Sequence, residues 1–469
     1  MPGHPNVVFL MTDHAGEKHM APGGRCITPN LDALAAEGTR FRRCYTTAGI
    51  CSPARGSLLT GTYPSTHGVF DCTHTQQPEW LDIREHLVQW PQRLHDAGYR
   101  TAYYGKWHAD QSEQLERFGW DEYDTQVHGA RVPRVKGTEV VLHNEGYRDT
   151  VLTAHAADGG EPIRHPAIEK GIDFIRRQAE GDAPFCCFVS MIEPGGAKVA
   201  PTHFMSMYDV ESVPLPASLR DDLLDKPEML RRIRDSWSSI TDDEWRRTLA
   251  SYLALITFVD HEVGRVLHVL RETGTYDDTI VVFTSDHGQM VGGQGAMGLG
   301  VCLAYEDVYN IPLIVRAPGV TGGRLDADSL VSLVDIAPTL VDLVGLEPLP
   351  DCQGRSLRPL LEGAADPDEW REAYAEFYSQ RFFYTQRLVW RDNWKFVFSP
   401  GGVDELYNLA DDPDERRNLT QDPAHRDRLI DMTRRMWRKM REIGDHWLFD
   451  SDYHTLRTAA IGPHSVEDE

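Results

Sequence analysis

Positive charge is scarce in this chain. Its 469 residues carry 48 Lys and Arg against 72 Asp and Glu, a formal net charge of −24, which argues against nucleic-acid binding and against docking on an anionic membrane. Long apolar runs are missing too, and none approaches the length that spans a bilayer. The opening Met1-Pro2-Gly3-His4-Pro5 leads straight into Asn6-Val7-Val8-Phe9-Leu10-Met11, without a basic segment, a long apolar segment or a small-residue cleavage site. No signal peptide is therefore expected. Cysteine is sparse and unpatterned: Cys26, Cys44, Cys51, Cys72, Cys186, Cys187, Cys302 and Cys352 lack metal-ligand spacing. In so long a chain they read as reduced, mostly buried thiols in a cytoplasm. Internal repeats and low-complexity tracts are absent as well.

What is present suits a large α/β enzyme. A chain of this length, 41% hydrophobic, exceeds one small core and suggests a large domain followed by a smaller one. Residues 7–11 form a continuous apolar run bounded by polar residues, the pattern of a buried parallel strand. Further strands are expected at 41–45, 100–105, 185–192, 279–284 and 311–315, with helices at 28–38, after Cys51, at 87–98 and at 249–273 between them. Strands alternating with helices imply a mostly parallel sheet covered on both faces. Ligands of such sheets bind at the carboxyl ends of the strands. Asp13, Lys106 and Asp286 each fall just past such an end.

After about residue 365 the character changes. Residues 388–391 and 394–398 read as a hairpin turning at Asp392-Asn393; the segment 405–409 then precedes 411–419, and a last helix is expected from about 426 to 443. The division expected is 1–365 and 366–469.

The most informative segment is Gly49-Ile50-Cys51-Ser52-Pro53-Ala54-Arg55-Gly56-Ser57-Leu58-Leu59-Thr60-Gly61. Pro53 suits a first helical turn. That places Cys51 at or just before a helix N-terminus, where open amides and the macrodipole favour negative charge. Arg55, one turn on, reaches back to the same spot. A nucleophile beside a cationic fork suits a tetrahedral oxyanion. Two acid–imidazole pairs, Asp13-His14 and Asp286-His287, offer hard oxygen donors for a divalent cation with an imidazole beside each.

The Cys51 segment resembles the signature of the sulfatase family, Cys-x-Pro-x-Arg followed by Leu-Leu-Thr-Gly. Gly98-Tyr99-Arg100-Thr101-Ala102-Tyr103-Tyr104-Gly105-Lys106-Trp107-His108 resembles that family's Gly-Tyr-x-Thr-x-x-x-Gly-Lys-Trp-His segment. The stretch from Leu406 to Leu419 resembles its C-terminal Leu-Tyr-x-Leu-x-x-Asp-Pro-x-Glu-x-x-Asn-Leu. The resemblance implies an alkaline-phosphatase-like α/β/α sandwich with a large mostly parallel sheet, plus a small C-terminal α+β subdomain with an antiparallel sheet. It implies a sulfuric ester hydrolase in which a maturation enzyme oxidises Cys51 to formylglycine (3-oxoalanine), whose hydrate is the nucleophile. Arg55 and Lys106 would hold the sulfuryl group and His108 would take a proton. One divalent metal would sit on Asp13, His14, Cys51, Asp286 and His287. Sulfatases commonly hold Ca²⁺ there, whereas related phosphonate monoester hydrolases often hold Mn²⁺. His14 stands where the family usually has Asp or Gln, and imidazole suits Mn²⁺, Zn²⁺ or Fe²⁺ better than Ca²⁺.

Two departures bear on the substrate. The family's Pro-His after the strand at 185–192 is here Pro194-Gly195, and the lysine before its Tyr-Glu pair is missing ahead of Tyr305-Glu306. Lys198 is the candidate replacement grip, and His74 and His128 are histidines that could reach in from loops. The expected substrate is a small-molecule or saccharide sulfate ester. A phosphonate monoester or phosphodiester hydrolase on the same scaffold is the alternative, and a non-catalytic binding relative the third reading. A homo-oligomer is compatible with the sequence.

Overall fold

The computed structural model describes residues 4–75, 81–112, 114–127, 129–132, 139–143, 146, 149–156, 163–195, 199–300, 303–320, 322–449 and 459–466. Among the described residues nine strands build one sheet: β1 (Asn6–Asp13), β2 (Thr39–Tyr45), β3 (Arg100–Gly105), β4 (Glu122–Asp124), β5 (Phe185–Pro194), β6 (Thr279–Ser285), β7 (Asn310–Arg316), β8 (Arg324–Asp326) and β9 (Val331–Ser332). Their order is β8-β2-β7-β6-β1-β5-β3-β4, with β9 also on β2. The apolar strand β1 lies in the interior between β5 and β6, parallel to both. β7 runs antiparallel to both of its neighbours, the one reversed strand in an otherwise parallel sheet.

Alternation along β1 divides the core. Val8 and Leu10 face one helical layer, made by α1 (Pro29–Glu37), α4 (Pro166–Gln178) and the long α5 (Asp242–Glu272). Val7, Phe9 and Met11 face the other, made by α2 (Cys51–Thr60), α3 (Trp90–Asp96) and α6 (Ile336–Leu343). The result is the expected α/β/α sandwich. α5 begins at a capping box, with Thr241 and Glu244 satisfying each other's backbone N–H groups, seven residues before the helix start expected at Leu249. None of the helices described is long and apolar enough to cross a membrane.

The C-terminal part is an antiparallel sheet of β10 (Glu372–Ser379), β11 (Phe383–Arg391), β12 (Trp394–Phe398) and β13 (Glu405–Asn408), with α7 (Arg426–Ile443) on one face. Its hairpin turns where expected: Arg391 pairs Trp394, and Asp392 takes a left-handed φ of 54°. The opposite face, with Phe377, Leu388, Trp390 and Tyr407, packs on Tyr45, Ala48, Ile50 and Tyr309. Ile50 immediately precedes the Cys51 helix, so this sheet buttresses the start of that helix.

Candidate active site

Three parallel strands deliver polar groups to one point. β1 ends in Asp13, β3 runs into Lys106, and β6 runs into Asp286. His14 and His108 both adopt left-handed backbone conformations, φ 69° and φ 53°. Such φ values cost a β-carbon residue about 1–3 kcal/mol and collect at functional sites. Cys51 is the first residue of α2, with extended Ile50 before it and Gly61, φ 69°, closing the helix. Apolar Ala54, Leu58 and Leu59 fasten the helix to the sheet, which fixes the thiol.

Around that thiol the charges converge. Cys51 Sγ lies 3.1 Å from His287 Nε2, 3.3 Å from Lys106 Nζ and 3.7 Å from Asp13 Oδ1. Lys106 Nζ also donates to Asp13 Oδ2 at 2.7 Å. Arg55 is committed on most sides: Nε donates to Asp286 Oδ2 at 2.8 Å, and Nη1 reaches the carbonyl oxygens of Lys106 (2.6 Å) and Trp107 (3.1 Å) and Ser190 Oγ (3.0 Å). Its Nη2 is buried without a hydrogen-bond partner among the described residues and lies 3.9 Å from Asp13 Oδ1. Arg55 thus anchors Asp286 and keeps one N–H group in reserve.

Electrostatics follow from burial and charge. The hydrogen bond from Cys72, with Lys106 and His287 nearby, holds the Cys51 thiol well below the ordinary thiol range despite burial. Burial works against a charged His287, but Asp286 and the Cys51 sulfur push the ring up to about 9. Burial likewise opposes ionisation of Asp286, yet His287 and Arg55 hold it well below the usual carboxylate range. Asp13 goes the other way: burial and the Asp286 charge push it up to about 6, even with Lys106 beside it. A carboxylate so placed gains from more positive charge than the protein supplies.

The donor set fits a divalent cation. One ligand atom from each of Asp13, His14, Cys51 and His287 lies within 4.8 Å of the others, and Asp286 Oδ1 is 3.7 Å from His287 Nε2. Partners outside the cluster aim the imidazoles. His14 Nδ1 meets Gln289 Oε1 at 2.7 Å and His287 Nδ1 meets the Gly288 carbonyl at 2.8 Å, leaving each Nε2 turned toward the carboxylates. Gly195 borders this group, since a β-carbon there would stand 3.0 Å from Asp13 Oδ2 and 3.1 Å from His14 Cδ2.

The site residues read from the sequence, Asp13, His14, Cys51, Arg55, Lys106, His108, Asp286 and His287, come together. Lys198 and His128 lie outside the described residues. Of the aromatics near the motifs, Trp107 and Tyr305 are buried packing residues, and Tyr305 donates to Glu405. Sequence reasoning did not find Ser190, Gln289 and Cys72. It named His74 without placing it, and His74 Nδ1 stands 3.2 Å from His108 Nε2.

An α/β/α sandwich with a cysteine at a helix start, two cations and two acid–imidazole pairs at the carboxyl end of the sheet is an alkaline-phosphatase-like hydrolase. The chain belongs to the sulfatase family: the family model described as Sulfatase matches residues 5–346. A second, N-sulphoglucosamine sulphohydrolase, C-terminal, matches residues 301–442. The chain is 31% identical to the uncharacterized sulfatase YidJ of Escherichia coli, covering 89% of this chain and 83% of that protein. It is 29% identical to a choline-sulfatase of Rhizobium meliloti, covering 95% and 87%. Among solved structures, a phosphonate monoester hydrolase from Silicibacter pomeroyi superposes with a TM-score of 0.76 at 24% identity, covering 95% and 96%. A protein in complex with its substrate D-glucosamine-2-N,6-O-disulfate superposes with a TM-score of 0.73 at 24% identity, covering 95% and 99%. The chain is accordingly a sulfuric ester hydrolase.

Proposed function

We propose that this enzyme hydrolyses a small-molecule or saccharide sulfate ester with a formylglycine made from Cys51 by a maturation enzyme, assisted by one divalent metal. The observation that carries the reading is the Cys51 sulfur ringed by Lys106, His287 and Asp13 at 3.3, 3.1 and 3.7 Å. Asp13, His14, Asp286, His287 and residue 51 would hold the metal. Ca²⁺ is the family's usual ion, and the two imidazoles favour Mn²⁺ as the second candidate. When bound, the metal neutralises charge on the substrate oxygens and makes the residue-51 hydrate more acidic, and that hydrate supplies the nucleophile.

The remaining work falls to the chain's own side chains. Lys106 and the spare Nη2 of Arg55 hold the equatorial oxygens as charge develops on them. His108 is held below the ordinary imidazole range, chiefly by burial, so it is neutral near pH 7. It can then take the proton of the second hydroxyl as sulfate departs. Lys198 would contribute to substrate grip. The division at residues 365 and 366 assigns this chemistry to the first part of the chain. The free thiols of the other six cysteines described support a reducing, cytoplasmic setting.

Hydrolysis of phosphonate monoesters or phosphodiesters is the second reading, favoured by Gly195 in place of a proton-donating side chain beside Asp13. Parallel turnover of an aryl sulfate and an aryl phosphonate ester separates the two. Faster sulfate turnover is expected, and a phosphonate kcat/KM roughly tenfold or more above it would reverse the assignment.

A further inference from the structure

The described residues hold a second cluster of metal donors beside the first. One ligand atom from each of Cys72, His74 and His108 lies within 4.8 Å of the others. We propose that these three residues form a binding site for a thiophilic divalent ion of the Zn²⁺ class, and that its occupation withdraws His108 from the reaction. The binding half stands on its own, while the inhibitory half rests on the role given to His108 above.

The geometry suits a tetrahedral ion. His74 Nδ1 and His108 Nε2 are 3.2 Å apart, with rings stacked at 13°. Two imidazole nitrogens bound to one zinc at about 2.0–2.1 Å in a tetrahedron stand about 3.3 Å from each other. One thiolate with two imidazoles is a zinc-type donor set, unlike the carboxylate-bearing group around Asp13. A fourth position is left for water or an anion.

The donors are also held in place. Thr73 N donates to Ser52 Oγ at 3.1 Å, tying the segment to α2. Asp71 accepts from Arg381 N at 2.8 Å and Ser379 Oγ at 3.3 Å, tying it to the C-terminal sheet. His108 is fixed by its left-handed backbone, and among the described residues its buried Nδ1 has no well-formed hydrogen bond. Cys72 is buried while His74 is exposed, so an ion reaches the donors past His74, and His108 also borders a cleft of about 620 Å³. Arg381 Nη2 lies 3.0 Å from His74 Nε2. A metal on Nδ1 leaves the ring proton on Nε2, so exposed Arg381 must turn away.

The test uses full-length Cys51→Ser protein, in which the thiol of the first cluster is gone, with Co²⁺ as the spectroscopic probe for Zn²⁺. A thiolate-to-cobalt charge-transfer band is expected that Zn²⁺ erases, that Cys72→Ser abolishes, and whose midpoint His74→Gln raises roughly tenfold or more. His74 is exposed, so that variant keeps the test usable where Cys72→Ser fails to fold. No band, a band surviving Cys72→Ser, or an unmoved midpoint in His74→Gln overturns the site. In the native enzyme Zn²⁺ is expected to inhibit turnover, with relief by a chelator. Binding without inhibition overturns the inhibitory half and leaves the family assignment untouched.

Discussion

Lys106 serves two neighbours at once, Asp13 Oδ2 at 2.7 Å and Cys51 Sγ at 3.3 Å, so its removal strips positive charge from both carboxylate and nucleophile. Lys106→Ala should lower kcat/KM by ~10²–10³ in steady-state assays; a loss below about threefold would place the lysine outside the charge-stabilising group. Arg55→Lys should also fail, because one ammonium cannot replace a planar fork that bonds Asp286, two backbone carbonyls and Ser190. For His108 the sign of the pH effect is set by burial, which favours the neutral ring. Activity should therefore fall as acid protonates it, on a limb below the ordinary imidazole value of about 6.5, and His108→Ala should erase that limb from the kcat/KM profile. An acid limb above about pH 7 contradicts the assignment. Cys51, Arg55, Lys106 and the two aspartates were legible because fixed spacing places them at strand ends and a helix start. Ser190, Gln289 and Cys72 were not. Strand pairing brings in Ser190, and loop closure brings in Gln289 and Cys72, and no local periodicity records either.

Elements were readable wherever burial imposes a pattern. The apolar runs of β1, β5 and β6 announced a parallel interior, and α7 was found at its observed limits, Arg426–Ile443. The reversed direction of β7 was not readable, since side-chain alternation is the same in either direction. Packing inside α2 yields a further test. A β-carbon on Gly56 would stand 2.9 Å from Cε1 of the buried His67 ring, which itself bonds Ser57 Oγ at 3.0 Å. Gly56→Ala should therefore cost about 1–3 kcal/mol in urea unfolding. His67 also makes this element acid-sensitive. Burial lowers it to about 3, so between that value and the unfolded value near 6.5 the unfolded chain binds the proton and the native chain does not. Stability contributed by the neutral ring is intact above about pH 6.5 and lost as pH falls, by about 3 kcal/mol at pH 4. The urea midpoints of His67→Gln should accordingly depend less on pH than those of the unmodified protein. An equal dependence would show that the ring titrates normally.

Across the whole molecule, buried polar pairs hold the C-terminal sheet, one within the C-terminal part and one across to the catalytic part. Arg387 Nε meets Asp445 Oδ2 at 2.6 Å with both side chains fully buried, and Glu376 accepts from Ser65 N at 2.7 Å and Ser65 Oγ at 2.8 Å. Asp445→Asn leaves Arg387 buried without its counter-ion and should cost about 3–5 kcal/mol in denaturant unfolding. A loss under about 1 kcal/mol would mean that water already reaches the pair. The hairpin of this sheet was legible from its Asp-Asn turn, whereas its contact with the start of α2 was not, because it joins residues more than three hundred positions apart. All of this scaffolding converges on residue 51. Its chemistry is read most directly from the mass of the residue-51 peptide, taken from enzyme made in its native host. A peptide lighter by the exchange of one sulfur and two hydrogens for one oxygen is the expected result. An unmodified cysteine in fully active enzyme would contradict it.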